Sequence, residues 1–92
     1  MSVSDNDPLR ALRKHFRVWF PDVPSKEITP KAQLAIFKDE DRVFIGGALH
    51  EVEEELKCDP RLLHADLLKV ETVGGFLDHL NATSSAPALS FT

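Results

Sequence analysis

Ile45, Leu49, Val52 and Leu56 recur at spacings of four, three and four. An α-helix brings such positions onto one face, so the middle of the chain is predicted to be a helix that must bury one stripe. Stripes of the same period flank it. Leu9, Leu12, Phe16 and either Trp19 or Phe20 form one upstream, and Val73, Phe76, Leu77 and Leu80 form another downstream. No stretch shows the period-two alternation of a half-buried strand. The expected class is therefore all-α. A chain of 92 residues makes one domain and buries only about 60% of its unfolded surface. The stripes must then share a single thin core.

Punctuation between the stripes sets the element boundaries. Asp7 can cap the first helix, and Pro8 suits its first position because the missing N–H would go unpaired there anyway. Pro21 should stop it. Pro21, Pro24 and Pro30 break residues 21–38 into a long loop, in which Thr29-Pro30 can start a short helical turn through Ala32 and Leu34 to Ile36. Ile28, Leu34, Ile36 and Phe37 are apolar enough to pin that loop to the core. A loop this long in a small domain is often functional. The second helix should start in or just after Asp39-Glu40-Asp41, where acids favour the positive end of the helix dipole. Cys58-Asp59-Pro60 should end it. Gly46-Gly47 is costly inside a helix, at about 1 kcal/mol per glycine relative to alanine. Either the helix begins after the pair, or something packs close to the backbone there. A short third helix is expected over Pro60 to Leu68, and a last one, capped by Thr72, from Val73 to about Leu80. Residues 1–7 and 81–92 are expected to be flexible ends of a four-helix domain spanning residues 8–80.

Charge and cysteine content narrow the function classes. The net charge is −4, which argues against nucleic acid as a partner, since phosphate calls for a basic surface. No apolar run approaches the roughly 20 residues that span a bilayer. The acidic, polar N-terminus is unlike a targeting peptide. Cys58 is the single cysteine, so no internal disulfide forms, and a lone thiol suits a reducing compartment. The expected location is the cytoplasm. The charge is also unevenly spread. Arg10, Arg13, Lys14 and Arg17 lie early, whereas Glu51, Glu53, Glu54 and Glu55 form an acidic block in the middle. Two solvated helix faces explain this simply, and a surface that selects partners by charge explains it too.

Motifs for chemistry fail when their spacing is checked. Counted from Asp39, a calcium loop would place Phe44 at its glycine and His50 at its bidentate acid; counted from Asp41, the glycine falls on Gly46 but the acid falls on Val52. His50-Glu51 opens like a zinc-protease helix, yet Glu54 occupies the second histidine's place. His50 and Glu54 lie one turn apart, and two ligands do not make a structural metal site. His15, His64 and His79 are scattered and expected at the surface. There is no nucleophile–base pair, and Gly74-Gly75 does not fit a phosphate loop. The sequence points to no enzyme, no metal and no cofactor.

Three segments, taken in order, resemble the acyl carrier protein family. Ile28-Thr29-Pro30-Lys31-Ala32-Gln33-Leu34 is similar to its loop before helix two. Val52-Glu53-Glu54-Glu55-Leu56 is similar to the acidic end of helix two. Residues Lys69 to Leu80 are similar to the last helix and its lead-in. The resemblance covers roughly residues 8–80 and implies a carrier-type four-helix bundle with a long first loop and a short third helix. Carriers place Asp-Ser-Leu at the start of helix two, the serine holding 4′-phosphopantetheine. The matching stretch here is Asp41-Arg42-Val43, and an arginine cannot form that phosphodiester. No serine lies between Ser25 and Ser84. Acidic docking positions of the family fall on Phe44 and Gly47, leaving Glu51 and the later acids.

The resemblance therefore implies a carrier-like module without its prosthetic group, monomeric, that works by protein–protein interaction. Its partner would be a protein such as an enzyme that handles acyl chains. The surface residues expected to serve are Asp41, Arg42, Phe44, Gly46, Gly47 and Glu51. An exposed Phe44 would anchor an apolar contact, although the ordinary expectation is that it turns into the core. Arg42 opposes the helix dipole, which suggests either an acidic partner group or a salt bridge to Asp39 or Glu40. Two other readings stand beside this one. Gly46, Gly47 and Ala48 remove volume where a carrier holds its acyl chain, so the bundle could bind a small apolar ligand. Or the chain is an unrelated helical domain of regulatory or chaperone-like type.

Overall fold

A computed structural model describes residues 8–84. The chain runs through α1 (Pro8–Trp19), α2 (Val43–Leu56), α3 (His64–Leu67) and α4 (Val73–Thr83), with 3-10 turns at Ser25–Glu27 and Leu34–Phe37 in the first loop. It is all-α: among the described residues there is no strand, and only an isolated antiparallel bridge joins Gln33 to Thr72. The expected cap at Asp7 lies outside the described residues.

The stripes meet as their spacing requires. Leu12 and Phe16 of α1, Ile45, Leu49 and Val52 of α2, and Val73, Phe76 and Leu80 of α4 are fully buried together. Phe16 sits at the centre. Its ring lies 5.2 Å from Phe37 and 6.3 Å from Phe76, centroid to centroid, and Phe20 stacks on Phe37 at 4.8 Å. Tilted aromatic pairs at these distances add to the burial of their area. This cluster fastens the first loop to α1 and α4. Ile28, Leu34 and Phe37 are buried as expected, and Ile36 is partly buried.

The loop also builds the start of α4. Val73 N donates to Ala32 O at 2.9 Å, and Gly74 N donates to Pro30 O at 2.8 Å. These are two of the N–H groups that a helix start leaves unpaired. Thr72 occupies the cap position, but its side chain makes no capping bond, contrary to expectation. Gly74 is required by this approach, because a Cβ there would lie 2.9 Å from Pro30 O.

Three boundaries differ from the sequence reading. α3 covers only His64–Leu67 rather than Pro60 to Leu68. The Leu62 N–H is engaged by the Glu53 carboxylate at 2.7 Å instead of a helical turn. α4 continues to Thr83, past the expected end at Leu80, so residues 81–83 belong to the domain. There, Thr83 Oγ1 donates to His79 O at 2.8 Å and Ser84 Oγ donates to Leu56 O at 3.1 Å. The short turn expected from Thr29-Pro30 to Ile36 forms instead as the 3-10 turn Leu34–Phe37.

Two of the four midchain acids do not face water freely. Glu53 is fully buried, although the sequence reading grouped it with the acidic block. Its Oε2 accepts from Leu62 N and from His79 Nε2, both at 2.7 Å. His79, expected at the surface, is accordingly only 14% exposed. Glu55 is half-covered and bonded to Lys14 and His15.

Candidate functional site

The start of α2 is assembled from unusual backbone. Lys38 ends the second 3-10 turn with φ 56°, and Arg42 precedes α2 with φ 61° and ψ 25°. Both lie in the left-handed region, which non-glycine residues enter only at a cost. Asp39 supplies the cap that Arg42 cannot: its Oδ2 accepts from Ile45 N, the third residue of the helix, at 2.8 Å. Asp41 Oδ1 accepts from Val43 N at 3.3 Å. This settles where the glycine pair sits. Gly46 and Gly47 are inside α2, and the close packing that calls for glycine is at Gly47.

The six residues singled out from sequence divide between the sides of α2, although Asp41, Arg42 and Phe44 line one groove at its start and Gly46 and Gly47 line another. Phe44, Gly47 and Glu51 follow at three and four and share the face of α2 toward α1. Trp19 joins them. Its ring lies over Gly47 so closely that a Cβ would stand 2.6 Å from Cη2. Its Nε1 donates to Glu51 Oε1 at 3.1 Å. Its ring centroid is 6.2 Å from that of Phe44. Arg42 and Gly46 lie toward the α3 segment instead. The Arg42 Nη1 donates to Leu67 O at 2.8 Å and also to Val70 O. A Cβ on Gly46 would meet Leu67 Cδ2 at 3.1 Å. Asp41 is exposed at the helix end and lines one groove together with Arg42 and Phe44.

Two expectations are corrected here. Phe44 does not turn into the core: it is 57% exposed. Its place explains this, since it immediately precedes Ile45 of the buried stripe and so lies off that stripe. Arg42 makes its bonds to backbone carbonyls rather than to Asp39 or Glu40. A guanidinium there ties α2 to the end of α3, where exposed carbonyls favour a cation.

Trp19 is the residue that the sequence reading missed as part of this site, having offered it, as the alternative to Phe20, for the core stripe of α1. The signal was the glycine pair, which called for a bulky neighbour. Beyond Trp19, Glu51 Oε1 faces His15 Nδ1 at 3.2 Å, and His15 Nε2 faces Glu55 Oε1 at 2.8 Å. Lys14 Nζ reaches the same Glu55 oxygen at 2.6 Å. Hydrogen bonding from Lys14, with His15 adding to it, outweighs partial burial and holds the Glu55 carboxyl below the usual carboxylate range.

Apolar side chains gather around this end of the molecule. Val43 and Phe44 are more than half exposed, and Trp19 is 36% exposed. An open groove of about 860 Å³ runs between the second 3-10 turn and the start of α2, and Lys38, Asp39, Asp41, Arg42 and Phe44 are among the residues that line it. A smaller one of about 260 Å³ lies between α2 and the α3 segment, with Gly46, Leu49, Leu62 and Leu67 in its wall.

Among the described residues no three His, Cys, Asp or Glu side chains stand close enough to hold a metal ion. Cys58 is buried, and burial pushes its thiol up from the ordinary value, the Glu53 carboxylate adding to the effect. Such a thiol is a poor nucleophile at neutral pH. No helix among the described residues is long and apolar enough to cross a membrane. No protein-family model matches the chain, and no curated protein or solved structure matches it either.

Proposed function

We propose that this protein is a carrier-like interaction module that docks on another protein through the start of α2 and does not carry 4′-phosphopantetheine. The partner is a protein, with enzymes that handle acyl chains as the first class to test. The bundle is of the acyl carrier type, with a long first loop and a short third helix, and Arg42 stands at the attachment position. The observation that carries the reading is the exposed Phe44, backed by Trp19, on a helix start where Arg42 is tied inward. An apolar ring left in water beside a second aromatic side chain is the kind of residue that dominates protein contacts.

Two measurements test the two halves of the proposal. Incubation with a phosphopantetheinyl transferase and coenzyme A should leave the mass unchanged. An increase by the mass of the arm would overturn the non-carrier half. For docking, a photo-crosslinking amino acid is placed at Phe44 and, separately, at exposed Asp78 of α4. The Phe44 position should capture one discrete protein that the Asp78 position does not. Equal capture at both would remove the α2 surface from consideration.

The groove beside Gly46 and Leu67 favours a second reading, a small apolar ligand held between α2 and α3. Against it, Trp19 and Leu67 already fill the space that the glycines leave. Native mass spectrometry with a fatty-acid mixture separates the two readings. A bound acyl chain would favour the second, and a ligand-free protein would end it.

A further inference from the structure

We propose that α1 carries a docking groove for an acidic segment of a partner protein, on residues other than those proposed above for docking at α2. Arg10, Arg13, Lys14 and Arg17, with Ser25 from the first 3-10 turn, line an open groove of about 420 Å³. This concentration runs against the chain's net charge of −4. It is not balanced within its own helix, because α1 has no acidic residue. Arg10 and Arg13, and Lys14 and Arg17, are three apart; Arg10 and Lys14, and Arg13 and Arg17, are four apart. Helical neighbours of like charge at these spacings repel and weaken the helix. Lys14 already meets Glu55 at 2.6 Å, so the repulsion that a negative partner along the groove would relieve is that between Arg13 and Arg17.

The fold orients one of the cations and pairs another. Arg13 Nε donates to Ile28 O at 2.9 Å, which fixes the guanidinium plane and leaves its outer edge, Nη1 and Nη2, to meet a carboxylate in a forked pair. Lys14 Nζ is held at 2.6 Å by Glu55, so the groove has one acidic flank of its own on the α2 side. Arg17 is exposed at the far end. The Ser25 hydroxyl adds an uncharged donor on the opposite wall.

The shape selects the ligand. Arg10 to Arg17 spans two helical turns, about 10 Å at the α-helical rise. One phosphate or carboxylate is too small to use that length. An extended peptide of three or four residues covers it, at about 3.3 Å per residue. A nucleic acid would run past the groove onto the acids of the rest of the surface, among them Glu54, Asp59, Asp66 and Asp78, all exposed. Among the described residues that line the groove none is aromatic, so none offers a ring on which a base could stack. An acidic peptide meets neither obstacle, because it can end where the groove ends.

The test uses the full chain and a fluorescein-labelled peptide of alternating Glu and Ser, followed by anisotropy. A Lys–Ser peptide and a short DNA duplex serve as comparison ligands. The acidic peptide should bind saturably and the basic one should not. Affinity should fall about tenfold or more in Arg17→Glu, and by a smaller factor in Arg17→Gln, which removes the charge without adding repulsion. Lys69→Glu, on the far side of the sequence, should leave it unchanged. Circular dichroism of each variant establishes that the fold is retained. Absence of binding, an equal loss in Lys69→Glu, or tighter binding of the duplex with the same dependence on Arg17 would each overturn the proposal.

Discussion

The two halves of α2 break the ordinary rule of burial in opposite directions. Its first turn leaves Val43 and Phe44 in water, and its last turns bury the Glu53 carboxylate. The second exception is resolved inside the molecule: Leu62 N and His79 Nε2 both bond Glu53 Oε2. Only Oε1 is left over, with His50 Nε2 4.0 Å away. The first exception is resolved only in part, by the Trp19 ring beside Phe44. A misplaced residue that its own fold employs is part of the architecture. One that its own fold leaves half in water, as it also leaves Val18 and Leu63, is what the docking proposal uses.

Substitutions can break this contrast. Glu53→Ala should be the most damaging change, costing about 3 kcal/mol, because it removes the partner of the partly buried Leu62 N–H and His79 imidazole and opens a cavity where the fully buried carboxylate stood. Urea unfolding measures it, and a loss comparable to that of a surface change would mean that the carboxylate is not a structural tie. Gly47→Ala comes next, at about 1–2 kcal/mol. The helix-propensity gain is outweighed by driving a Cβ into the Trp19 ring, and tryptophan emission should shift as the ring moves. Gly46→Ala meets only the flexible end of Leu67 and should be close to neutral, which sharpens the point that Trp19 is the rigid neighbour.

Lys57→Gly should stabilise the protein by roughly 0.5–1 kcal/mol. Lys57 ends α2 with φ 57° and ψ 46°. Its N–H and that of Cys58 close the helix onto Glu54 O and Glu53 O, a geometry glycine adopts without strain. Phe44→Ser should shift stability by less than about 0.5 kcal/mol while weakening binding of the protein captured at the α2 surface. A large loss of stability would place Phe44 with Glu53, as architecture. The smallest effect concerns pH. The Glu55 carboxyl is held low in the folded state, so its pairing with Lys14 and His15 contributes above the ordinary carboxylate range and is lost as pH falls through the lowered folded value. Solvent screening limits this to a few tenths of a kcal/mol, readable as a difference between the native protein and Glu55→Gln across the acid range.

The apolar spacings were enough to read α1, α2 and α4, because a 3.6-residue period can be satisfied in only one way. The α3 segment was overread, since whether Leu62 starts a helix depends on a carboxylate nine positions upstream that competes for its N–H. Glu53 itself was legible in principle. It lies four after Leu49 and eight after Ile45, on the buried stripe, but an acid in a run of acids reads as solvated until a partner is seen. Phe44 was legible on the same ground, being one position off the stripe. Arg42 was not. Its bonds go to the carbonyls of Leu67 and Val70, and a backbone acceptor leaves no mark in the identity of the residue that bears it. The grouping of Phe44, Gly47 and Glu51 apart from Arg42 and Gly46 follows from helical phase, yet its meaning needed the neighbour across each face.

The loop carbonyls that receive Val73 N and Gly74 N also govern when α4 can form. Its first turn has no side-chain cap, and the groups that complete it lie about forty positions earlier, at Pro30 and Ala32. α4 is therefore a poor candidate for an early, autonomous helix. It should order together with the loop, in a late step whose rate is limited by closing that long span of chain. Amide exchange at Val73 and Gly74 would then track the docking of residues 30–34 rather than the fraying of a helix end, making those two amides reporters for a part of the molecule they do not belong to.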